Sequence, residues 1–264
     1  MKKYNISQTA RMLGLSSELL RHYERKGLLA PLRNENGYRA YTRPDIYILS
    51  GIRMLRNAGY SLKDIERLFA ASYEEALALR KQRCAKIEEE IEHSKLVLEA
   101  LREEYGEIAM LRENHGAITR AVSPPMLRVN NQVNDSFLVE RGGSILRWVE
   151  HMPIVKVSPS FSKDAVLAGR EEIRFGYAVP LALAERLGLA GTDGAEIKPE
   201  TDCLTTVVYS IGANYLDARS LGHIPDYCYK EGLRIAGDPW GLTIATITDD
   251  GQHNRFHRFY IPVR

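Results

Sequence analysis

From Tyr73 to about Arg112 the chain runs without a proline and with a single late glycine, Gly106, and its apolar residues recur in a heptad. Leu77, Cys84, Ile91, Leu98 and Tyr105 take one core position, and Arg80, Ile87, Ser94, Leu101 and Ile108 take the other. At about 1.5 Å per residue, such a helix is roughly 60 Å long, too long to be buried in so small a protein. It needs a partner helix, and no second segment of the chain carries the pattern. The expected partner is the same helix of another copy, in a two-fold homodimer with an antiparallel coiled coil. The dimerisation residues are Leu77, Cys84, Ile87, Ile91, Leu98, Leu101, Tyr105 and Ile108.

Before this helix lies a compact run of helix signals. Asn5 can cap a helix with Gln8 at its third position and Ile6, Ala10 and Leu13 on one face; Gly14 ends it. Ser16 begins a second helix through Lys26, with Leu20 and Tyr23 three apart and Gly27 as the stop. Two short helices joined by a tight glycine turn make a helix-turn-helix, whose second helix enters the major groove. Asn36-Gly37 signals a two-residue type I′ hairpin, a wing. A third helix follows from Pro44, with Ile48, Leu49, Ile52 and Leu55 inward and Arg53 and Arg56 outward. A fourth starts at Ser61-Leu62-Lys63-Asp64, with Ile65, Leu68 and Phe69 inward.

Charge separates the two ends. Residues 1 to 70 hold 13 Lys and Arg against 6 Asp and Glu, a surplus of +7, whereas the whole chain is only +2. The first part alone is therefore suited to a polyanion. The reading helix offers Ser17, Arg21, His22 and Tyr23. Arg21 is the candidate for a guanine edge, which a guanidinium can bond through two N–H groups. Tyr38 and Arg39 of the wing, with Tyr41 packing or bonding behind them as part of the DNA-binding set, and Arg43 and Lys63 are the candidates for phosphate.

Ser123-Pro124-Pro125 marks a linker, after which short β-rich segments (Ile154 to Val157, Ile173 to Val179, Thr205 to Ile211, Leu242 to Ile247, Phe256 to Val263) alternate with helical ones near Ile145 to Glu150, Leu181 to Leu187 and Leu216 to Glu231. That pattern predicts an α+β domain. Its aromatic residues are candidates for a small-molecule pocket, above all Trp148, Phe175, Tyr177, Tyr209, Tyr215, Trp240 and Tyr260, with Arg258 among them. The division expected is 1–71 for the winged head, 72–118 for the dimer helix and linker, and 119–264 for the C-terminal domain. Cys84, Cys203 and Cys228 match no metal spacing, so no metal and no cofactor is expected. No apolar run reaches the length of a membrane span, and the start has no signal-peptide core, so a cytoplasmic protein is expected.

Tyr4-Asn5-Ile6-Ser7-Gln8-Thr9-Ala10, Leu20-Arg21-His22-Tyr23-Glu24, Gly27-Leu28-Leu29, the wing Asn36 to Tyr41, and Gly59-Tyr60-Ser61-Leu62-Lys63-Asp64-Ile65 resemble the MerR family of transcriptional regulators over about the first 110 residues. Family members often have Tyr where this chain has His22. Val207-Val208-Tyr209-Ser210-Ile211-Gly212, Glu231-Gly232-Leu233, Gly237-Asp238-Pro239 and Tyr260-Ile261-Pro262-Val263 resemble the GyrI-like effector-binding domain of the multidrug-sensing branch. The resemblance implies a homodimer on an over-spaced double-stranded promoter. When a small aromatic effector binds, such a dimer bends and untwists the DNA so that RNA polymerase can use both promoter elements.

Carboxylates that hold cationic drugs in those relatives fall near Gly241 and on Arg258 here, so the expected ligand is neutral or anionic. Two other readings compete with this one. The C-terminal domain could be a GyrI-like hydrolase fused to a DNA-binding head, although no catalytic triad is visible, or the chain could be an effector-free architectural repressor. A metal sensor of this family would carry cysteines just beyond the dimer helix, where this chain has none between residues 85 and 202.

Overall fold

A computed structural model describes residues 2–114, 116–138, 140, 142–211, 216–249 and 251–264. The chain forms two compact units, residues 1–92 and 93–264.

The first unit is helical with a small wing. Helix α1 (Ile6–Leu13) is closed at its start by a capping box: Gln8 N–H donates to Asn5 Oδ1 at 2.8 Å and Asn5 N–H to Gln8 Oε1 at 2.9 Å. Helix α2 (Ser17–Arg25) is capped by Ser16, which accepts from Leu19 N–H. The wing pairs β1 (Leu32–Arg33) with β2 (Arg39–Ala40) in antiparallel register, Arg33 opposite Arg39. Its turn differs from the expected type I′. Gly37 has φ +76° and Asn36 has no positive φ, while Gly37 N–H donates to Asn34 C=O and Asn34 Oδ1 accepts from Tyr38 N–H. The Asn34 side chain closes a longer loop, so only the glycine needs the left-handed region.

Helix α3 (Arg43–Asn57) starts at Thr42, whose N–H and hydroxyl both donate to Asp45 at 2.7 Å. Helix α4 (Leu62–Ala70) starts at a Ser61–Asp64 box, and α5 (Tyr73–Asn114) at a Ser72–Glu75 box. Leu20, Tyr23, Leu29, Tyr41, Leu49, Ile52 and Ile65 form the head core, with Ala76 and Leu79 of α5 packed against it. Ile48 and Phe69 were expected inside but are 39% and 46% exposed, because each follows a buried neighbour, or precedes one, by a single residue and so turns off the apolar face.

The second unit is α+β. Strands β3 (Thr119–Ser123) and β4 (Met126–Val133) flank Pro124-Pro125, which is therefore a sharp connection between two strands and not a linker. Strand β5 (Ser136–Phe137), helix α6 (Gly142–Glu150), β6 (Lys156–Val157), α7 (Lys163–Ala168), β7 (Arg174–Pro180), α8 (Leu181–Ala184) and β8 (Ala195–Lys198) follow. Then come β9 (Thr201–Ile211), a 3-10 turn (Ala218–Leu221), α9 (His223–Lys230), β10 (Trp240–Asp249) and β11 (Gln252–Pro262). One antiparallel sheet runs β10-β11-β9-β3. The other runs β5-β4-β7-β6, with β8 also on β4.

Each sheet has its own core. Leu204, Val208, Phe259 and Ile261 pack with Phe161 and Leu221, and Leu127, Val129 and Val179 pack with Trp148, Leu189 and three residues of α5: Leu96, Val97 and Ala100. The fully buried Arg128 ties the sheets together. Its Nε donates to Ser158 Oγ and its Nη2 to Ser158 C=O, both at 2.8 Å, and Ser158 Oγ donates to Gly241 C=O at 2.7 Å. Burial pulls its pKa down to about 10, so it stays charged at neutral pH, with Glu196 at 3.2 Å.

His257 is 1% exposed, between Thr243 Oγ1 (3.1 Å) and Ser210 Oγ (3.5 Å). Burial first, then the charge of Arg255, pushes its imidazole down to about 4. Between that value and the ordinary one near 6.5 the unfolded chain binds more protons than the folded one. The stability this contributes is thus complete above about pH 6.5 and is lost as pH falls, by about 3 kcal/mol near pH 4. His257→Gln, which keeps both hydrogen-bonding ends, is expected to flatten the loss of denaturant stability measured between pH 7 and pH 4.5.

Candidate nucleic-acid interface and the Arg258 face

A groove of about 840 Å³ opens between the start of α1, helix α2 and the wing; its walls include Lys3, Asn5, Arg21, Arg33, Tyr38 and Arg39. Four cations on one concave surface suit a phosphate backbone. Arg21 is exposed on α2 and paired with Glu18 at 3.1 Å; Glu18 also holds Arg25 at 3.2 Å, and these two bonds keep its carboxyl below the usual range. Such exposed pairs are weak enough to be exchanged for DNA.

The wing is fixed to the reading helix through Glu24, which takes Arg39 through Nε and lies 3.7 Å from Arg33. Tyr4 pairs with Tyr41 by two backbone hydrogen bonds, tying the wing to the start of α1.

Of the residues expected at DNA, Ser17 opens α2, His22 is half-buried, and Tyr38, Arg43 and Lys63 are exposed, Arg43 over the Tyr47 ring at 5.9 Å. Two are corrected. Tyr23 (4% exposed) and Tyr41 (0%) belong to the head core, since each lies on the face that carries Leu20 or docks on it. Lys3, Arg33 and Glu24 were not expected at the interface. Arg33 could have been found from its register opposite Arg39.

Along α5 the expected seam is uncovered. Leu77, Cys84, Ile91, Leu98, Leu101, Tyr105 and Ile108 are exposed and Ile87 is half-buried. A second stripe at Leu96, Ala100, Glu103 and Glu107 turns the other way, into the second unit: the first two join its core, Glu103 lies 3.5 Å from Lys156, and Glu107 pairs with Arg258.

The residues expected to bind an effector do not all converge. Trp148 is core, its indole N–H donating to Thr192 Oγ1 at 3.0 Å; Tyr177 packs on the same core, and Phe175 on the Phe161 core. Tyr209 lies against Phe256, 44% exposed, and Tyr215 lies outside the described residues. Trp240, Arg258 and Tyr260 do meet, on the side of the β10-β11-β9 sheet that faces away from Phe161. Trp240 and Tyr260 stack at 4.7 Å, with Met126, Ala178 and Leu242 around them. The acid beside them is Glu107, reaching in from α5. Cys203, nearby on β9, is buried and its thiol is pushed up to about 11, so it is no thiolate.

Among the described residues no helix is long and apolar enough to cross a membrane. The family model of MerR HTH family regulatory proteins matches residues 4–72. A probable heavy metal-dependent transcriptional regulator of Haemophilus influenzae is 36% identical over 105 residues, 37% of this chain and 82% of the relative. The regulator CueR of Salmonella typhi is 45% identical over 65 residues, 24% of this chain, and the match spans about half of CueR's length (47%). Among solved structures, HiNmlR, a MerR family regulator lacking the sensor domain, bound to promoter DNA, is 29% identical over 42% of this chain and 90% of that one, with a TM-score of 0.35. With the capped reading helix, the wing and the sequence match covering the same residues, the chain belongs to the MerR family of helix-turn-helix transcriptional regulators.

Proposed function

We propose that this chain acts as a homodimer on an over-spaced promoter and activates transcription by bending and untwisting the DNA, for RNA polymerase, when a small aromatic effector binds its GyrI-like C-terminal unit. The observation that carries the reading is the uncovered apolar stripe of α5. Its residues from Leu77 to Ile108 are exposed, Ile87 half-buried, on a helix that adds Ala76 and Leu79 to the head core and Leu96, Val97 and Ala100 to the core of the second unit. A second copy laid along that stripe buries it and pairs the reading heads. Ligand binding then biases a two-state equilibrium whose other term is the deformation energy of the duplex.

Two substitutions test the division of labour at the groove. Arg21→Ala is expected to weaken discrimination among sites by about 1–3 kcal/mol, because a base contact is lost. Arg39→Ala should weaken binding to all sequences nearly equally and lower the salt slope by about 1, because a phosphate contact is lost. Titrations of cognate and scrambled duplexes at several salt concentrations distinguish the two; equal loss of specificity from both would contradict the assignment. Activation itself is tested by shortening the promoter spacer, which should make transcription independent of the protein.

A further inference from the structure

Arg258 stands in alternation with Phe256 and Tyr260 on β11, beside Thr205 and Val207 on β9 and Leu242 on β10. Its guanidinium holds the Glu107 carboxylate in a fork, Nη1 to Oε1 at 2.7 Å and Nη2 to Oε2 at 2.7 Å. The first contact is a hydrogen bond and the second an ion pair, with Oε2 buried. Directly across the ladder from Tyr260, the Thr205 hydroxyl is buried and also without a partner. Next to these groups the half-buried Tyr260 stacks on Trp240, which is 3% exposed. The Arg258 and Glu107 side chains keep 28% and 26% of their surface, although Oε2 itself is enclosed.

A guanidinium fork selects a planar carboxylate, and here the occupant comes from the chain's own dimer helix. Exchanging Glu107 for a ligand carboxylate conserves the charge-assisted bonds. The gain on top of that exchange is an aromatic ring against Tyr260 and, once Glu107 has left, a donor from Thr205. A ligand cation finds the opposite situation, since Glu107 is already neutralised by Arg258.

We infer that the second unit takes an aromatic carboxylate at Arg258, and that Glu107 is an internal competitor which the ligand displaces. This rests on the reading of that unit as an effector domain. Displacement frees α5 on the side opposite Leu98, Leu101, Tyr105 and Ile108, so occupancy of the site reaches the helix that carries the seam.

The test titrates the full-length chain by calorimetry with naphthalene-2-carboxylate, neutral 2-naphthamide and cationic 2-naphthylmethylammonium. The carboxylate should bind tightest. Glu107→Gln should tighten it about tenfold while leaving the amide within about twofold, the size of one charge-assisted bond. Arg258→Gln should erase the preference for the carboxylate. A tighter ammonium, or a carboxylate affinity that Glu107→Gln leaves unchanged or weakens, overturns the inference while the effector reading stands. Failure of all three probes to bind either the wild type or Glu107→Gln overturns both. Should Arg258→Gln unfold, the Glu107→Gln comparison carries the test alone.

Discussion

Replacing Leu98 and Leu101 together with lysine is expected to convert the proposed dimer into a monomer and to lower promoter affinity by about two to four orders of magnitude, with the head still folded. At 100° per residue these leucines lie roughly opposite Leu96, Ala100 and Glu107, so the substitution leaves the packing of α5 on its own unit in place. Both are about half exposed in the single chain (46% and 48%), and lysine there costs the monomer little. In a two-fold dimer four leucines are affected, each worth roughly 0.7–1.5 kcal/mol on burying its exposed half, and four charges take their place. The loss exceeds what a coiled coil of this length can absorb. DNA binding falls with it, because two linked heads engage a repeat at a high effective concentration and a single head does not. Sedimentation equilibrium checks the mass and a band-shift titration checks the affinity. A variant that remains a dimer removes the seam from the interface.

The head and the helix were legible because their signals are local. Asn5–Gln8, Ser61–Asp64 and the uninterrupted helical run from Tyr73 each act within a turn or two, and the fold forms both caps and the helix where the sequence puts them. The type of wing turn was not legible, since Asn34 replaces backbone strain at Asn36 with a side-chain hydrogen bond that no dipeptide rule contains. Tyr23 was hard to place because a tyrosine on a reading helix serves the core or the groove equally well by type, and only helical phase decides; of the two roles open to Tyr41 behind the wing, the fold takes packing.

In the second unit, long strands such as β9 and β11 were visible from their β-branched and aromatic runs. The strands β3 and β4 were hidden by Pro124-Pro125 and by the polar Arg128, Asn130 and Asn131. Glu107 was illegible for a different reason. The heptad explains the helix completely, and the second stripe at Leu96, Ala100, Glu103 and Glu107 acquires meaning only from partners distant in sequence, 53 residues away for Glu103 and 151 for Glu107.

Gly176→Ala is expected to destabilise the second unit by about 4 kcal/mol or more, lowering its unfolding midpoint by about 8–16 °C while the head still unfolds as before. Gly176 lies on β7 opposite Asn130, where the register with β4 shifts between Asn130 and Gln132. That irregularity brings the β4 backbone over the glycine: a Cβ would stand 1.8 Å from the Val129 carbonyl oxygen and 2.7 Å from its carbon. These are backbone atoms, and no rotamer change can move them aside. On its other side Gly176 exchanges two hydrogen bonds with Ser158, at 2.8 and 3.1 Å, so β7 cannot retreat without opening that ladder.

Ser158 is also the residue that accepts Arg128 and donates to Gly241, so a methyl group at 176 displaces the tie between the two sheets as well as one strand pair. A buried arginine whose acceptors shift leaves a charge without compensation, which adds to the steric cost. Thermal unfolding followed by far-UV dichroism, with hydrogen exchange to assign the two units, measures the effect. An unchanged midpoint would mean that β4 and β7 are not in this register.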